Sequence, residues 1–329
     1  MSTPLFSFGA IADVQYADID DAWNYMKTSR RYYRQALSNL QSAVDSWIDE
    51  AKSKPLRFVM NLGDLLDGKN AATSISMKAL LQLRGSLDAF QSQIGPVHHC
   101  IGNHELYNFN REEYLRLLVH HTSNGPKELL PPPASTRAYY SFHLPQEPSF
   151  LFIVLDPYEK SIIGNTPGSV EHTASRNFIA QRNPNNDLNS SASLLGVERR
   201  FVEYNGAIDT DQLSWLRETL DRAQARQQHV VVFSHVPIHP DSCHHACLLW
   251  NYDTMLQTFA SYNCIRAVFC GHYHENGYAV DAGGIHYVVF HAALESKDNA
   301  FATIDVYADH LDVRGRGNIP SRILAFKSN

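Results

Sequence analysis

The chain has 329 residues, of which 44% are hydrophobic and 19% are charged, a balance typical of folded rather than disordered proteins. This length predicts either two domains or one large layered domain. The net charge of -6 argues against general binding to nucleic acid, because contacts with phosphates need an excess of Lys and Arg.

Short apolar runs alternate with longer segments along the chain. The runs are rich in β-branched and aromatic residues and predict buried strands, whereas the longer segments have the apolar spacing of helices. Strands are predicted at 5–12, 57–62, 97–101, 150–155, 229–233 and 265–270, and helices at 30–52, 77–93, 111–121, 209–227 and 251–262.

Four closely spaced strands are predicted near the end of the chain, and their spacing is typical of an antiparallel meander. Together with the preceding alternation of strands and helices, they indicate a layered α/β fold in which helices cover two packed sheets. The four strands are predicted at 278–280, 285–290, 301–306 and 311–313.

Residues 156–208 depart from this pattern, because they are rich in Asn, Ser, Pro and Gly. Such a composition predicts irregular structure. A long irregular segment inside a compact domain is more often functional or mobile than structural. Two interpretations stay open, an insertion that caps a site and a disordered surface loop.

Polar side chains follow five of the predicted strands at the point where each strand ends. The carboxyl ends of strands in an open α/β sheet meet at one crevice, so these side chains are expected to form a single site. The candidate ligands among them are Asp13, Gln15, Asp64, Asn103, His235, His272 and His274.

This set offers oxygen and imidazole ligands without a thiolate, which suits Mn, Fe or Zn. Seven side chains are too many for one ion, so the sequence predicts two. A carboxylate can donate one oxygen to each ion, and we expect Asp64 to be that bridging ligand. Paired ions of this kind lie about 3.5–4 Å apart and bind both the attacking and the leaving oxygen of a displacement.

The motifs resemble those of the calcineurin-like metallophosphoesterase superfamily. That family has Asp-x-His, Gly-Asp-x-x-Asp, Gly-Asn-His-Glu/Asp, a later His and Gly-His-x-His. This chain matches the last four patterns at 63–67, 102–105, 235 and 271–274, but Gln15 replaces the His of the first. An amide oxygen is a harder ligand than imidazole, so Gln15 is expected to favour Mn or Mg over Zn.

The chain resembles the manganese-dependent ADP-ribose/CDP-alcohol diphosphatase branch of this superfamily in three features: Gln15, its length and its motif spacing. The resemblance implies a four-layer αββα sandwich of two mixed sheets. Because the motifs extend from residue 13 to residue 274, we expect 1–329 to be one domain, with 156–208 as an irregular insertion over the active site. It also implies hydrolysis of the phosphoanhydride of CDP-choline, CDP-glycerol or ADP-ribose. The products would be a nucleoside monophosphate and a phosphorylated alcohol or sugar.

The resemblance further implies a role for each site residue. His104 would be the catalytic histidine that stabilises the phosphoryl group or protonates the leaving oxygen, and Asp67 would orient it from behind. Two divalent ions would be bound, with Mn as the active species and Fe, Zn or Mg as alternatives. One ion would take Asp13, Gln15, Asp64 and His274, and the other would take Asp64, Asn103, His235 and His272.

Residues near the site are candidates for contacts with a nucleobase. Tyr25 follows the first ligand block, and Cys243 lies after His235 in the rim segment 239–247. Trp250 is interpreted instead as a core residue. The His and Cys residues of 239–247 also raise the alternative of a zinc site, although their spacing matches no closed structural-zinc pattern.

The five cysteines are sparse and odd in number, which predicts reduced thiols in a cytoplasmic protein. The chain shows neither an apolar leader nor about 18 consecutive apolar residues. We therefore expect a monomer whose partner is a small nucleotide substrate, with no binding to nucleic acid or membrane.

Two other functions stay open, a phosphomonoesterase or protein phosphatase that uses the same metals and a metal-free binding scaffold.

Overall fold

Within residues 3–121 and 137–327, the strands form two six-stranded sheets and one short ribbon. The computed structural model describes residues 3–121 and 137–327. In chain order the strands are β1 (Phe6–Ile11), β2 (Ala22–Trp23), β3 (Arg30–Arg31), β4 (Leu56–Asn61), β5 (Val97–His99), β6 (Tyr140–Leu144), β7 (Glu147–Val154), β8 (His229–Phe233), β9 (Ile265–Cys270), β10 (Gly277–Val280), β11 (His286–Val289), β12 (Ala300–Val306), β13 (His310–Gly317) and β14 (Arg322–Ala325).

Helices connect most of the parallel strands. Several begin at a side chain that accepts a backbone N–H, as Asp209 does from Gln212, which satisfies a donor left free at a helix start. No helix in the described ranges is both long and apolar enough to cross a bilayer. The helices are α1 (Gln35–Ala51), α2 (Lys69–Ala72), α3 (Ser76–Gln93), α4 (Asn103–Asn108), α5 (Arg111–Tyr114), α6 (Val170–Ala180), α7 (Thr210–Ala225) and α8 (Tyr252–Phe259).

Both sheets are mixed, as expected. The first has the order β14-β13-β12-β1-β4-β5, in which β1 runs parallel to β4 and antiparallel to β12. The second has the order β10-β11-β9-β8-β7-β6, with four parallel strands between antiparallel edges. Parallel strands place their carboxyl ends on one side of the sheet, and this directs the loops that carry the polar motifs.

Aromatic side chains fill the space between the two sheets. Phe8 of the first sheet stacks on Phe58 at 4.8 Å and meets the ring edges of Phe152 and Phe233 from the second sheet at 5.9 and 5.8 Å. All four are fully buried, and burial of each such ring contributes about 1.5–3 kcal/mol. Outside the sheets, α1 and α3 cover the first and α7 covers the second, which completes the predicted αββα layers.

The predicted C-terminal meander is divided between the two sheets. Strands β10 and β11 form a hairpin, but β11 pairs in parallel with β9 and so extends the second sheet. Only β12, β13 and β14 form an antiparallel meander, which joins the first sheet through β1. Strand spacing along the chain could not show this, because the division depends on pairing with strands far away in the sequence.

The segment 156–208 is more regular than its composition predicted. It contains the 11-residue helix α6 and a small apolar cluster in which Ile179 and Phe201 pack with Trp250. Asn183 is buried and donates its amide to the carbonyl oxygens of Leu188, Ser190 and Phe201. The polar residues therefore form local side-chain-to-backbone bonds that order the segment. Outside α6 and a short 3-10 helix at Gly196–Arg200 it consists of turns and bends, as its composition predicted.

Candidate metal centre

The polar motifs lie on the loops that leave β1, β4, β5, β8 and β9. Five of the seven candidate ligands have a left-handed backbone, a conformation that costs about 1–3 kcal/mol when a non-Gly residue is held in it and that clusters at functional sites. Their φ angles are 52° for Asp13, 42° for Gln15, 55° for Asp64, 68° for His272 and 65° for His274.

Two glycines show why these turns need residues without a side chain. Gly63 has a φ of +100°, which few other residues adopt. Gly102 has an ordinary backbone, but a Cβ placed there would lie 2.1 Å from Oδ1 of Asp64. One glycine thus allows a strained turn, and the other allows close approach to a candidate ligand.

One group of candidate ligands contains Asp64, His235 and His272. Nε2 of His235 lies 3.3 Å from Oδ2 of Asp64 and 3.2 Å from Nδ1 of His272. Oδ1 of Asn103 lies 3.3 Å from the same Nε2. Four side chains from four loops therefore point their donor atoms at a common point.

A second group contains Asp13, Asp64 and His274. Nε2 of His274 lies 3.4 Å from Oδ1 of Asp13, and Nε2 of Gln15 lies 3.1 Å from Oδ2 of Asp64 and 2.9 Å from Nε2 of His274. The structure thus brings all seven candidate ligands together, and Asp64 belongs to both groups. His272 and His274 reach the cluster through left-handed turns rather than from an extended strand.

The chemistry of this cluster fits divalent cations. Asp13 and Asp64 are buried, and Oε1 of Gln15 is buried without a hydrogen-bond partner, a condition that native proteins rarely leave uncompensated. Burial lowers the pKa of His235, but Asp64, together with Asp13 and the Leu62 carbonyl, raises that pKa to about 9. Burial also lowers the pKa of His274, but its contacts with Asp13 and Glu295 raise that pKa to about 9. The carboxylates therefore favour positive charge at this buried cluster.

His104 lies at the edge of the cluster with one nitrogen turned towards it. The backbone N–H of Gly68 donates to its Nδ1 at 2.8 Å, so in the neutral ring the proton is on Nε2, which lies 4.0 Å from Oδ2 of Asp64. Oδ2 of Asp67 lies 3.4 Å from Nδ1 without a hydrogen bond. Asp67 is thus beside His104 as expected, but Gly68 makes the orienting hydrogen bond.

Glu105 is a supporting residue to which the sequence analysis gave no role. Its fully buried carboxylate accepts the backbone N–H groups of Asp64, Leu65 and Gly102 at 2.6–2.9 Å. Burial is the main cause that raises the pKa of Glu105 to about 7, and the negative charge of the nearby Asp64 adds to it. It joins the loop after β4 to the loop after β5, and its place in the Gly-Asn-His-Glu motif was the available signal.

Glu295 and two residues of the insertion also contact the candidate ligands. Oε1 of Glu295 accepts from Nδ1 of His274 at 2.8 Å. Tyr158 donates its hydroxyl to Oδ1 of Asn103 at 3.2 Å, and Asn205 contacts His272. No motif marks these residues, because each meets its ligand only after distant segments have folded together.

The candidate substrate residues lie outside the metal cluster. Tyr25 is 96% exposed on the loop between β2 and β3, and Cys243 is half-buried near the carbonyl of His239. Trp250 is buried, as interpreted from the sequence, and donates Nε1 to Val202. The metal-ligand groups found among residues 3–121 and 137–327 do not include the rim segment 239–247.

Comparison with known proteins agrees with this geometry. The family model described as calcineurin-like phosphoesterase matches residues 6–276. The chain belongs to the calcineurin-like phosphoesterase family. It is 39% identical to the manganese-dependent ADP-ribose/CDP-alcohol diphosphatase of Homo sapiens, over 99% of this chain and 94% of the human protein.

Further members of this phosphoesterase family show the same likeness. The manganese-dependent ADP-ribose/CDP-alcohol diphosphatase of Oryza sativa subsp. japonica is 39% identical, over 98% of this chain and 95% of the rice protein. The crystal structure of a dimetal phosphatase from Danio rerio superposes with a TM-score of 0.88 at 35% identity, and the match covers 98% of this chain and 100% of that one. The phosphoesterase fold therefore extends along nearly the whole chain.

Proposed function

We propose that the protein hydrolyses the phosphoanhydride bond of ADP-ribose and CDP-alcohols and depends on two divalent ions, with manganese as the active species. The observation that carries this proposal is the convergence of five carboxylate and imidazole side chains in two groups that share Asp64, with Gln15 and Asn103 in contact with them. Support for the substrate class comes from relatives named as ADP-ribose/CDP-alcohol diphosphatases that match along nearly their full length.

In the proposed site, one ion would be held by Asp13, Gln15, Asp64 and His274, and the other would be held by Asp64, Asn103, His235 and His272. Ions bound there would supply positive charge to the attacking and leaving oxygens of a displacement at phosphorus. One water is consumed, one P–O bond of the anhydride breaks, and the products are a nucleoside monophosphate and a phosphorylated alcohol or sugar.

His104 acts on the substrate phosphate through Nε2. Because Gly68 donates to Nδ1, Nε2 carries the proton and donates it in a hydrogen bond to a phosphoryl or leaving oxygen. Asp67, whose Oδ2 is 3.4 Å from Nδ1, lies behind the ring and restricts its orientation. The protein therefore contributes a fixed donor at the edge of the cation site.

The insertion 156–208 covers one side of this site. Tyr158 and Asn205 bring it into hydrogen-bond contact with Asn103 and His272. A cover of this kind suits a small substrate better than a protein surface. We assign Tyr25 and Cys243 to the nucleobase side of the pocket, and the cytoplasmic location and monomeric state stay predictions.

A substrate panel tests the proposed function. The purified protein, freed of metal and then supplied with Mn²⁺, should cleave ADP-ribose, CDP-choline and CDP-glycerol at least tenfold faster than AMP or a phosphotyrosine peptide. Faster cleavage of the monoesters would instead support a phosphomonoesterase or protein phosphatase. Absence of both Mn²⁺ binding and turnover would support a binding scaffold.

Asp64→Ala tests the shared ligand. This variant should lose activity and bind at least one Mn²⁺ fewer, because Asp64 belongs to both donor groups. Asp88→Ala is a control of the same residue type on α3. Normal CDP-choline hydrolysis by the Asp64 variant would contradict the two-ion site.

A further inference from the structure

Asn205 lies at the end of the insertion and is completely buried. Its Nδ2 donates to the carbonyl oxygens of Arg200, Ala246 and Leu248 at 2.9, 2.8 and 3.1 Å. Its Oδ1 lies 2.8 Å from Nε2 of His272. One amide therefore joins the insertion, the segment after β8 and a candidate metal ligand.

These contacts determine the orientation of the Asn205 amide. The three carbonyl groups are acceptors only, so the nitrogen has to face them and the oxygen has to face His272. Nε2 of His272 must then carry a proton and donate it to Oδ1. Nδ1 of His272 is left with its lone pair, 3.2 Å from Nε2 of His235.

The other two candidate ligand histidines are held through the opposite nitrogen. Nδ1 of His235 lies 2.8 Å from the carbonyl oxygen of Leu62, and Nδ1 of His274 lies 2.8 Å from Oε1 of Glu295. Each of these acceptors leaves Nε2 to face the cluster. His272 therefore differs from both, and Asn205 is the group that makes the difference.

We propose that Asn205 is a positioning residue that makes His272 present Nδ1 to a divalent cation and fastens the insertion to the metal centre. The inference rests on the two-ion site of the proposed function. A partner that fixes the tautomer and angle of a ligand histidine typically changes metal affinity by about 10–100-fold. The effect belongs to the ion held with His235, because His274 has its own acceptor.

Asn183 provides a matched control. It is also a buried Asn of the insertion and also donates to three carbonyl oxygens, those of Leu188, Ser190 and Phe201. Its hydrogen bonds stay within the insertion. Replacing it with Ala disturbs the same segment without removing the acceptor for His272.

The experiment compares Mn²⁺ binding by calorimetry and thermal unfolding for the full-length wild type, Asn205→Ala and Asn183→Ala. Asn205→Ala should bind one of two Mn²⁺ ions about 10–100-fold more weakly and the other within about twofold. Asn183→Ala should lower the Tm but keep both affinities within about twofold. Equal binding by Asn205→Ala and wild type, or equal weakening in both variants, would overturn the inference.

A spectroscopic measurement does not depend on whether Asn205→Ala folds. Histidine ring ¹⁵N shifts of the metal-free wild type, assigned to His272 with His272→Gln, should show the neutral ring with its proton on Nε2. A proton on Nδ1 would overturn the inference but leave the proposed function intact. If the wild type fails to bind two Mn²⁺ ions, the proposed function fails as well.

Discussion

Some residues of the site face the ligand cluster, whereas others fix the loops that carry the ligands. His104 faces it with Nε2, whereas Glu105 faces away and accepts three backbone N–H groups. The two are neighbours in one motif, but their contacts predict separable effects. Loss of the first should change turnover, and loss of the second should change stability.

His104→Ala should lower kcat about 10²–10⁴-fold, the usual contribution of a positioned proton donor. Both Mn²⁺ ions should still bind, because His104 is outside the two donor groups. Steady-state kinetics and calorimetry on the same preparation measure the two effects. A fully active variant loaded with two ions would remove His104 from the mechanism.

Glu105→Gln should destabilise the protein by about 1–3 kcal/mol, because the new amide places N–H donors against buried N–H groups that then lose their acceptor. Glu113→Gln is the matched control, since its carboxylate accepts a single N–H, from Asn110, at an exposed helix start. In urea unfolding, the control variant should lose less than about 0.5 kcal/mol of unfolding free energy. Equal effects in the two variants would contradict a special role for Glu105.

Among the elements, α5 and the start of the insertion are joined by one buried ion pair. Arg111 at the beginning of α5 pairs with Asp156 and donates to the carbonyl oxygen of Tyr158 at 3.0 Å. Asp156 is fully buried, and Tyr158 contacts Asn103. A helix that carries none of the candidate ligands thus helps to place the insertion over the candidate metal centre.

Arg111→Ala should lower the free energy of unfolding by about 3 kcal/mol, because it leaves the Asp156 carboxylate buried without its partner. Arg222→Ala is a control, since Arg222 pairs with Glu218 at 4.0 Å on an exposed helix surface, where such pairs contribute about 0–1 kcal/mol. Denaturant unfolding compares the two variants. A loss in Arg111→Ala no larger than in the control would show that the pair does not hold the insertion.

For the whole molecule, buried histidines away from the site link stability to pH. Burial lowers the pKa of His98 and of His99 from 6.5 to about 3, with smaller effects from neighbouring charged groups. His98 stacks on Phe142 with ring centroids 3.7 Å apart. Below pH 6.5 the unfolded chain takes up protons that these folded side chains do not, so stability is complete above that pH and falls between 6.5 and about 3.

His98→Phe tests this linkage. At pH 5 the buried His98 should cost the wild type about 2 kcal/mol of its stability relative to pH 7. Unfolding free energies of variant and wild type, measured at both pH values, isolate this contribution from the other titrating groups. The difference in unfolding free energy between variant and wild type should shift in favour of the variant by about 2 kcal/mol from pH 7 to pH 5. A difference that does not change with pH would contradict the linkage.

The sequence by itself determined the order of the central strands, the positions of five helices and the set of candidate ligands. All three are local properties, since apolar spacing defines the elements and Gly-Asp, Gly-Asn and Gly-His turns mark the strand ends. The position of Asp64 after β4 also sufficed to predict that it is shared between two donor groups. These features need no knowledge of which segments meet in space.

Only the tertiary structure decided which groups hold those ligands. Asn205 is 67 residues from His272 and meets it through the packing of the insertion, and Glu295 reaches His274 across 21 residues. The division of the C-terminal strands between two sheets likewise followed from pairing with β9 and β1. Such contacts lie between residues far apart in the chain, so no local pattern encodes them, and they form only when the sheets pack.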